Sequence, residues 1–192
     1  MSLKWLAGRL ASIAFLAVTL LTLDAAVSRD GLRAGEGVND SGTARLALAA
    51  QRYALARAIR GAADQLADEQ CQALLEEFAD ASGQPLRSVL AAHGLAISDY
   101  MAQVFFYDAP EWACRGPNLA VTKPGSRAIF VCGSRFQKEM ATNSRNAEAV
   151  VIHELLHSLG LGENPPSPDH ITARVRAQCG QQTHLAQTGR AK

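Results

Sequence analysis

Residues 149–160 read Ala149-Val-Val-Ile-His153-Glu154-Leu-Leu-His157-Ser-Leu-Gly160. His153 and His157 are four apart, so on a helix their rings leave the same face one turn from each other. Two imidazole nitrogens placed that way can reach one zinc ion at about 2.0–2.1 Å. Glu154 follows the first histidine and can reach a water on such an ion without ligating it, which is the position of a general base. Val151, Ile152, Leu155, Leu156 and Leu159 supply the apolar surface that would bury this helix, expected over 145–159. A chain of this composition produces HExxH by chance only about 0.006 times. The bland alternative, an amphipathic helix with two half-exposed histidines, therefore yields to a metal-binding reading.

Upstream, MAQVFFYD (101–108) and RAIFVC (127–132) are β-prone. Pro110, Gly116, Pro117, Pro124 and Gly125 make the stretch between them read as loop. Helical periodicity returns over 136–160. Pro165, Pro166 and Pro168 then break the chain before ITARVRAQC (171–179), a short amphipathic helix. From Thr43 the chain is rich in Ala, Leu, Gln, Glu and Arg, all good helix formers, with a break expected near Gly61. Leu66, Leu74, Leu75 and Phe78 recur around Cys71 and suggest a second helix. PLRSVLAAHG suggests a third, stopped by Gly94, with His93 where a helix end favours a cation. Arg45, Arg52, Arg57 and Arg60 read as a solvated helix face rather than a membrane-surface patch.

The chain has 192 residues and a net charge of +1, and 48% of its residues are hydrophobic. It can bury its own core, and it lacks the basic excess of a protein that binds nucleic acid through phosphates. Residues 1–26 read as an export signal, with Lys4 and Arg9 before the uncharged run Leu10–Leu23 and small residues at Ala25 and Ala26. Without Lys4, Arg9 and Asp24 the balance is 17 basic and 17 acidic groups. The apolar run is short for a membrane span; uncleaved, residues 5–23 would act as a membrane tether. Residues 27–42 read as a flexible linker, and 43–192 as the functional domain. The expected location is exported (periplasmic, cell-envelope or extracellular), with a membrane-anchored form as the alternative.

Cys71, Cys114, Cys132 and Cys179 all lie beyond the export segment, and none forms CxxC. Four cysteines in an oxidising compartment suggest two disulfides, with three possible connectivities. The β-prone segments flanking the 114–132 loop favour Cys114–Cys132, which leaves Cys71–Cys179 by elimination.

Over His153–Gly160, and more loosely over 100–170, the chain resembles the zincin metallopeptidases. The resemblance implies an α+β zincin-like domain with N-terminal helices, a small β-sheet and an HExxH active-site helix. It implies Zn²⁺ held by His153 and His157, with Glu154 activating water against a peptide or protein substrate. It also implies that the strand AIFVC aligns that substrate by its edge. In the metzincin register HExxHxxGxxH, Gly160 is matched and Glu163 stands where the third histidine would be. A carboxylate can fill that place. Asp169 and His170 are the alternative third ligands, and no methionine follows Met140, so the Met-turn is missing. Tyr100, Tyr107, His170 and His184 are candidate oxyanion stabilisers. The expected function is an exported zinc peptidase. A non-catalytic envelope or interaction protein that retains a zinc-binding helix is one alternative, and a zinc hydrolase of a non-peptide bond is another.

Overall fold

In the computed structural model, residues 43–180 are described. The export segment, the linker and His184 lie outside them. A four-stranded sheet carries β1 (Ala44–Arg45), β2 (Phe105–Asp108), β3 (Ala120–Thr122) and β4 (Ala128–Val131) in the order β1-β2-β4-β3. β1, β2 and β4 run parallel, and β3 is antiparallel to β4 with Val121 opposite Phe130. Alternation sends Phe106, Ile129, Val131 and Ala120 into the core. Phe105, Tyr107 and Phe130 stack on the other face, with ring centroids 6.5 and 6.0 Å apart.

The helices are α1 (Ala49–Leu66), α2 (Glu69–Gln72), α3 (Leu74–Glu77), α4 (Leu86–Ala92), α5 (Ile97–Met101), α6 (Gly133–Thr142), α7 (Ser144–Ser158) and α8 (Pro168–Cys179). The mixed α+β class is as expected. α1 runs straight through Gly61, where a break was expected. The glycine is there for contact: a Cβ at 61 would lie 2.5 Å from the Glu148 carboxyl carbon on α7. The expected second helix is instead two single turns, α2 and α3. The helical stretch 136–160 is cut at Asn143, whose side chain accepts from Asn146 N–H and caps α7. Pro168 does not break the chain but opens α8 at its first turn, behind Ser167, which accepts from His170 N–H. Of the basic run, Arg45 is on β1, 5.4 Å over the Phe105 ring, and Arg52 donates to the Leu46 and Ala47 carbonyls. His93 caps the C-terminus of α4.

The resemblance assigned the substrate-aligning edge to β4, and this is corrected. β4 is internal, flanked by β2 and β3. Among the described residues, the free edge beside α7 is β3, three residues within the stretch read as loop. Cys132 N–H donates to Leu119 O, so Leu119 and Val121 turn their backbone groups towards β4. Antiparallel alternation then points those of Ala120 and Thr122 outward.

Both disulfides form as expected, Cys71–Cys179 and Cys114–Cys132. The first closes a separation of 108 residues, the second 18. Chain entropy makes these worth about 4–5 and about 3 kcal/mol. The longer bridge fastens the end of α8 to α2; the shorter ties the loop before β3 to the end of β4. Such bridges are consistent with an exported protein. Among the described residues, no helix is long and apolar enough to cross a membrane.

Candidate metal centre

Every residue of α7 from Val151 to Ser158 is buried, because the helix is packed among α1, α6, α8 and the sheet. His153 and His157 are therefore taken out of water together with Glu154. At the end of α7 the Leu161 N–H donates to Leu156 O and the Gly160 N–H to His157 O, with Gly160 at φ 112°. This is a Schellman turn, which satisfies the helix's last carbonyls and reverses the chain. The reversal brings Glu163 back over the histidines.

His153 Nε2, His157 Nε2 and Glu163 Oε1 converge. The two nitrogens are 3.0 Å apart, and the carboxylate oxygen is 3.1 Å from His157 and 3.7 Å from His153. Tetrahedral ligands at zinc bond lengths stand about 3.3–3.4 Å from one another, so the triangle has the right size. These three residues form a group that could hold a metal ion.

Protonation favours the same conclusion. His157 Nδ1 is 2.7 Å from Leu161 O, which can only accept, so Nδ1 carries a hydrogen and Nε2 is the nitrogen turned to the cleft. That nitrogen faces a carboxylate oxygen and a second imidazole nitrogen, atoms that could hold a cation between them. His153 Nδ1 lies 3.0 Å from Thr172 Oγ1 on α8, and donating there frees its Nε2 likewise. Burial, and then the neighbouring His157, push His153 down to about 4, so it is neutral and able to ligate at physiological pH.

Glu154 faces the same cleft. Burial pushes its carboxyl up to about 7; the nearby Thr122 hydroxyl opposes that shift, and the charge of Glu163 adds to it. Glu154 Oε2 and Thr122 Oγ1 are nonetheless both buried without a hydrogen bond of normal geometry. A buried carboxylate oxygen without a partner is costly. It fits a site that takes a further polar occupant.

The cleft is about 710 Å³. Its floor is α7 (Asn146, Val150, His153, Glu154, His157), one wall is residues 117–122, including β3, with Pro124, and the other is α8 (Asp169, Thr172, Arg176). Thr122 shares the sheet face of Ile129, which is why it reaches Glu154.

Of the alternative ligands, Asp169 lines the cleft outside the converging group, whereas His170 packs edge-on to Phe78, 6.2 Å between centroids. Of the oxyanion candidates, the three within the described residues lie away from the cleft. Tyr100 is buried and donates to Ser158 O, Tyr107 is on the far face of the sheet, and His170 does not line the cleft. Sequence reasoning missed Thr122, Asn146, Thr172 and Arg176, ordinary polar residues with no motif around them.

Comparison of the chain with protein-family models, curated proteins and solved structures gives no match.

Proposed function

We propose that the protein is an exported zinc-dependent peptidase that cleaves extended peptide segments laid along β3. One observation carries this reading: three ligand-type atoms at zinc-ligand spacing share a cleft with a buried, unpartnered carboxylate and a free strand edge.

His153, His157 and Glu163 would hold the ion, with Thr172 and the Leu161 carbonyl fixing the two imidazoles. When bound, Zn²⁺ would supply Lewis acidity that polarises a carbonyl and lowers the pKa of water towards about 7. Burial makes Glu154 a stronger base than an exposed glutamate, suited to accepting a proton from the attacking water and passing it to the leaving amine. The outward backbone groups of Ala120 and Thr122 would pair with the substrate backbone, placing one peptide bond above the floor of the cleft.

The test is metal analysis with turnover of a mixed-sequence peptide pool. Wild type is expected to hold one zinc per chain and to cleave peptides. Glu154→Gln is expected to keep the zinc and lose turnover by 10²-fold or more. Full zinc without turnover in wild type would replace the peptidase reading with a non-catalytic zinc-binding protein; no zinc binding would remove both.

A further inference from the structure

The cleft is electrically lopsided. Glu163 and Asp169 line the end that holds the histidines, and Arg176 is the one Lys or Arg among the lining residues, one helical turn beyond Thr172 on α8. Its guanidinium donates to Asn146 Oδ1 on α7. Asn146 is turned that way because its Nδ2 donates to Glu139 Oε1 at 2.7 Å. Among the described residues Arg176 makes no salt bridge, whereas on the same helix Arg174 is held by both carboxylate oxygens of Glu77. Arg135 donates to the carbonyls of Cys114, Gly116 and Asn118. Arg176 is exposed, and one of its five N–H donors is directed at Asn146.

Position within the cleft defines its reach. Asn146 is seven residues before His153 on α7, which is about 10 Å along the helix axis. An extended peptide rises about 3.3 Å per residue, so this separation corresponds to about three substrate residues. The Pro124 end of the wall is near His157, since Gly125 N–H donates to His157 O at 2.9 Å. Thr122 stands by Glu154, and the 117–119 end continues towards Asn146 and Arg176. A peptide lying along β3 would thus pass Arg176 about three residues from a bond held above His153 and Glu154.

We propose that Arg176, set by Asn146, is a specificity-determining residue that binds a peptide carboxylate about three residues from the scissile bond. The carboxylate is an Asp or Glu side chain or a free C-terminus, and the planar guanidinium can take it with two parallel hydrogen bonds. This inference rests on the peptidase reading above.

The experiment uses the full zinc-loaded protein and a peptide set in which one Asp is moved through every position on either side of a common cleavage point. Matched Asn peptides and C-terminal acid and amide forms distinguish a side-chain carboxylate from a free terminus. Wild type is expected to prefer one position, at or next to the third from the bond, by 10-fold or more in kcat/KM. In Arg176→Gln that Asp-to-Asn ratio is expected to fall to about one, and in Arg176→Glu to fall below one. Anisotropy titration of the same labelled peptides onto Glu154→Gln gives the preference as affinity, independently of turnover. Peptides cleaved with no positional acid preference, or with a preference that survives Arg176→Gln and Arg176→Glu, would overturn the inference and leave the peptidase reading standing. No cleavage of any peptide, with none bound by Glu154→Gln, would overturn both.

Discussion

Thr172 Oγ1 on α8 lies 3.0 Å from Nδ1 of His153 on α7. This contact joins two helices that the sequence separates by the Schellman turn and a proline-rich bend. It makes the orientation of one candidate ligand depend on how α8 docks, and α8 is fastened by Ser167 at its start and Cys71–Cys179 at its end. Thr172→Val keeps the shape and removes the oxygen. It is expected to weaken zinc binding by about 10-fold while leaving the fold intact, read by competition against a chelator of known affinity.

Glu163 and His170 differ in what they touch. Glu163→Ala is expected to weaken zinc binding by at least about 10-fold, because its oxygen completes the triangle with the two histidines. His170→Ala removes only a ring packed on Phe78 and is expected to leave zinc affinity unchanged. If the chelator competition gave the opposite order, the third ligand would have to be reassigned.

Gly160 holds φ 112°, and a Cβ there would sit 3.1 Å from Asp80 Cβ. Gly160→Ala is therefore expected to cost about 1–3 kcal/mol of stability, measured by urea unfolding. The same turn presents both the Leu161 carbonyl and Glu163 to the histidines, so zinc affinity should fall along with stability. A variant of wild-type stability with unaltered zinc binding would show that the turn does not set the site.

The buried pair His153 and Glu154 makes a prediction for protein kept in chelator. Glu154 has its folded value raised from 4.5 to about 7, so its contribution to stability is full below pH 4.5 and lost as pH rises through 7. His153 is lowered from 6.5 to about 4, so its contribution is full above pH 6.5 and lost as pH falls through 4. Between pH 4.5 and 6.5 the two slopes oppose each other. Glu154→Gln removes one of them, and its stability relative to wild type should rise by roughly 2–3 kcal/mol across that window. Parallel urea midpoints for the two proteins at pH 4.5 and 6.5 would contradict this.

What the sequence determined by itself is what depends on near neighbours. The i, i+4 spacing of His153 and His157 put both rings on one face, and α7 delivers them to within 3.0 Å. Gly160 signalled the turn, and the resemblance to the metzincin register put Glu163 forward as third ligand, with Asp169 and His170 as alternatives. Cys114–Cys132 was legible because β-prone segments flank one loop. What only the tertiary structure decided is pairing across the chain. β3 is three residues long, too short for alternation to register, and becomes a strand only because β4 is beside it. Gly61 looked like a helix break because a lone glycine lowers helix propensity, but its meaning is the close passage of Glu148. Thr122, Thr172, Asn146 and Arg176 carry no local signal, since a threonine or arginine on a helix or strand has the same propensity whether it faces water or a ligand. Their roles arise from which elements the core brings together, and burial of apolar surface, being non-directional, selects those partners over the whole chain at once.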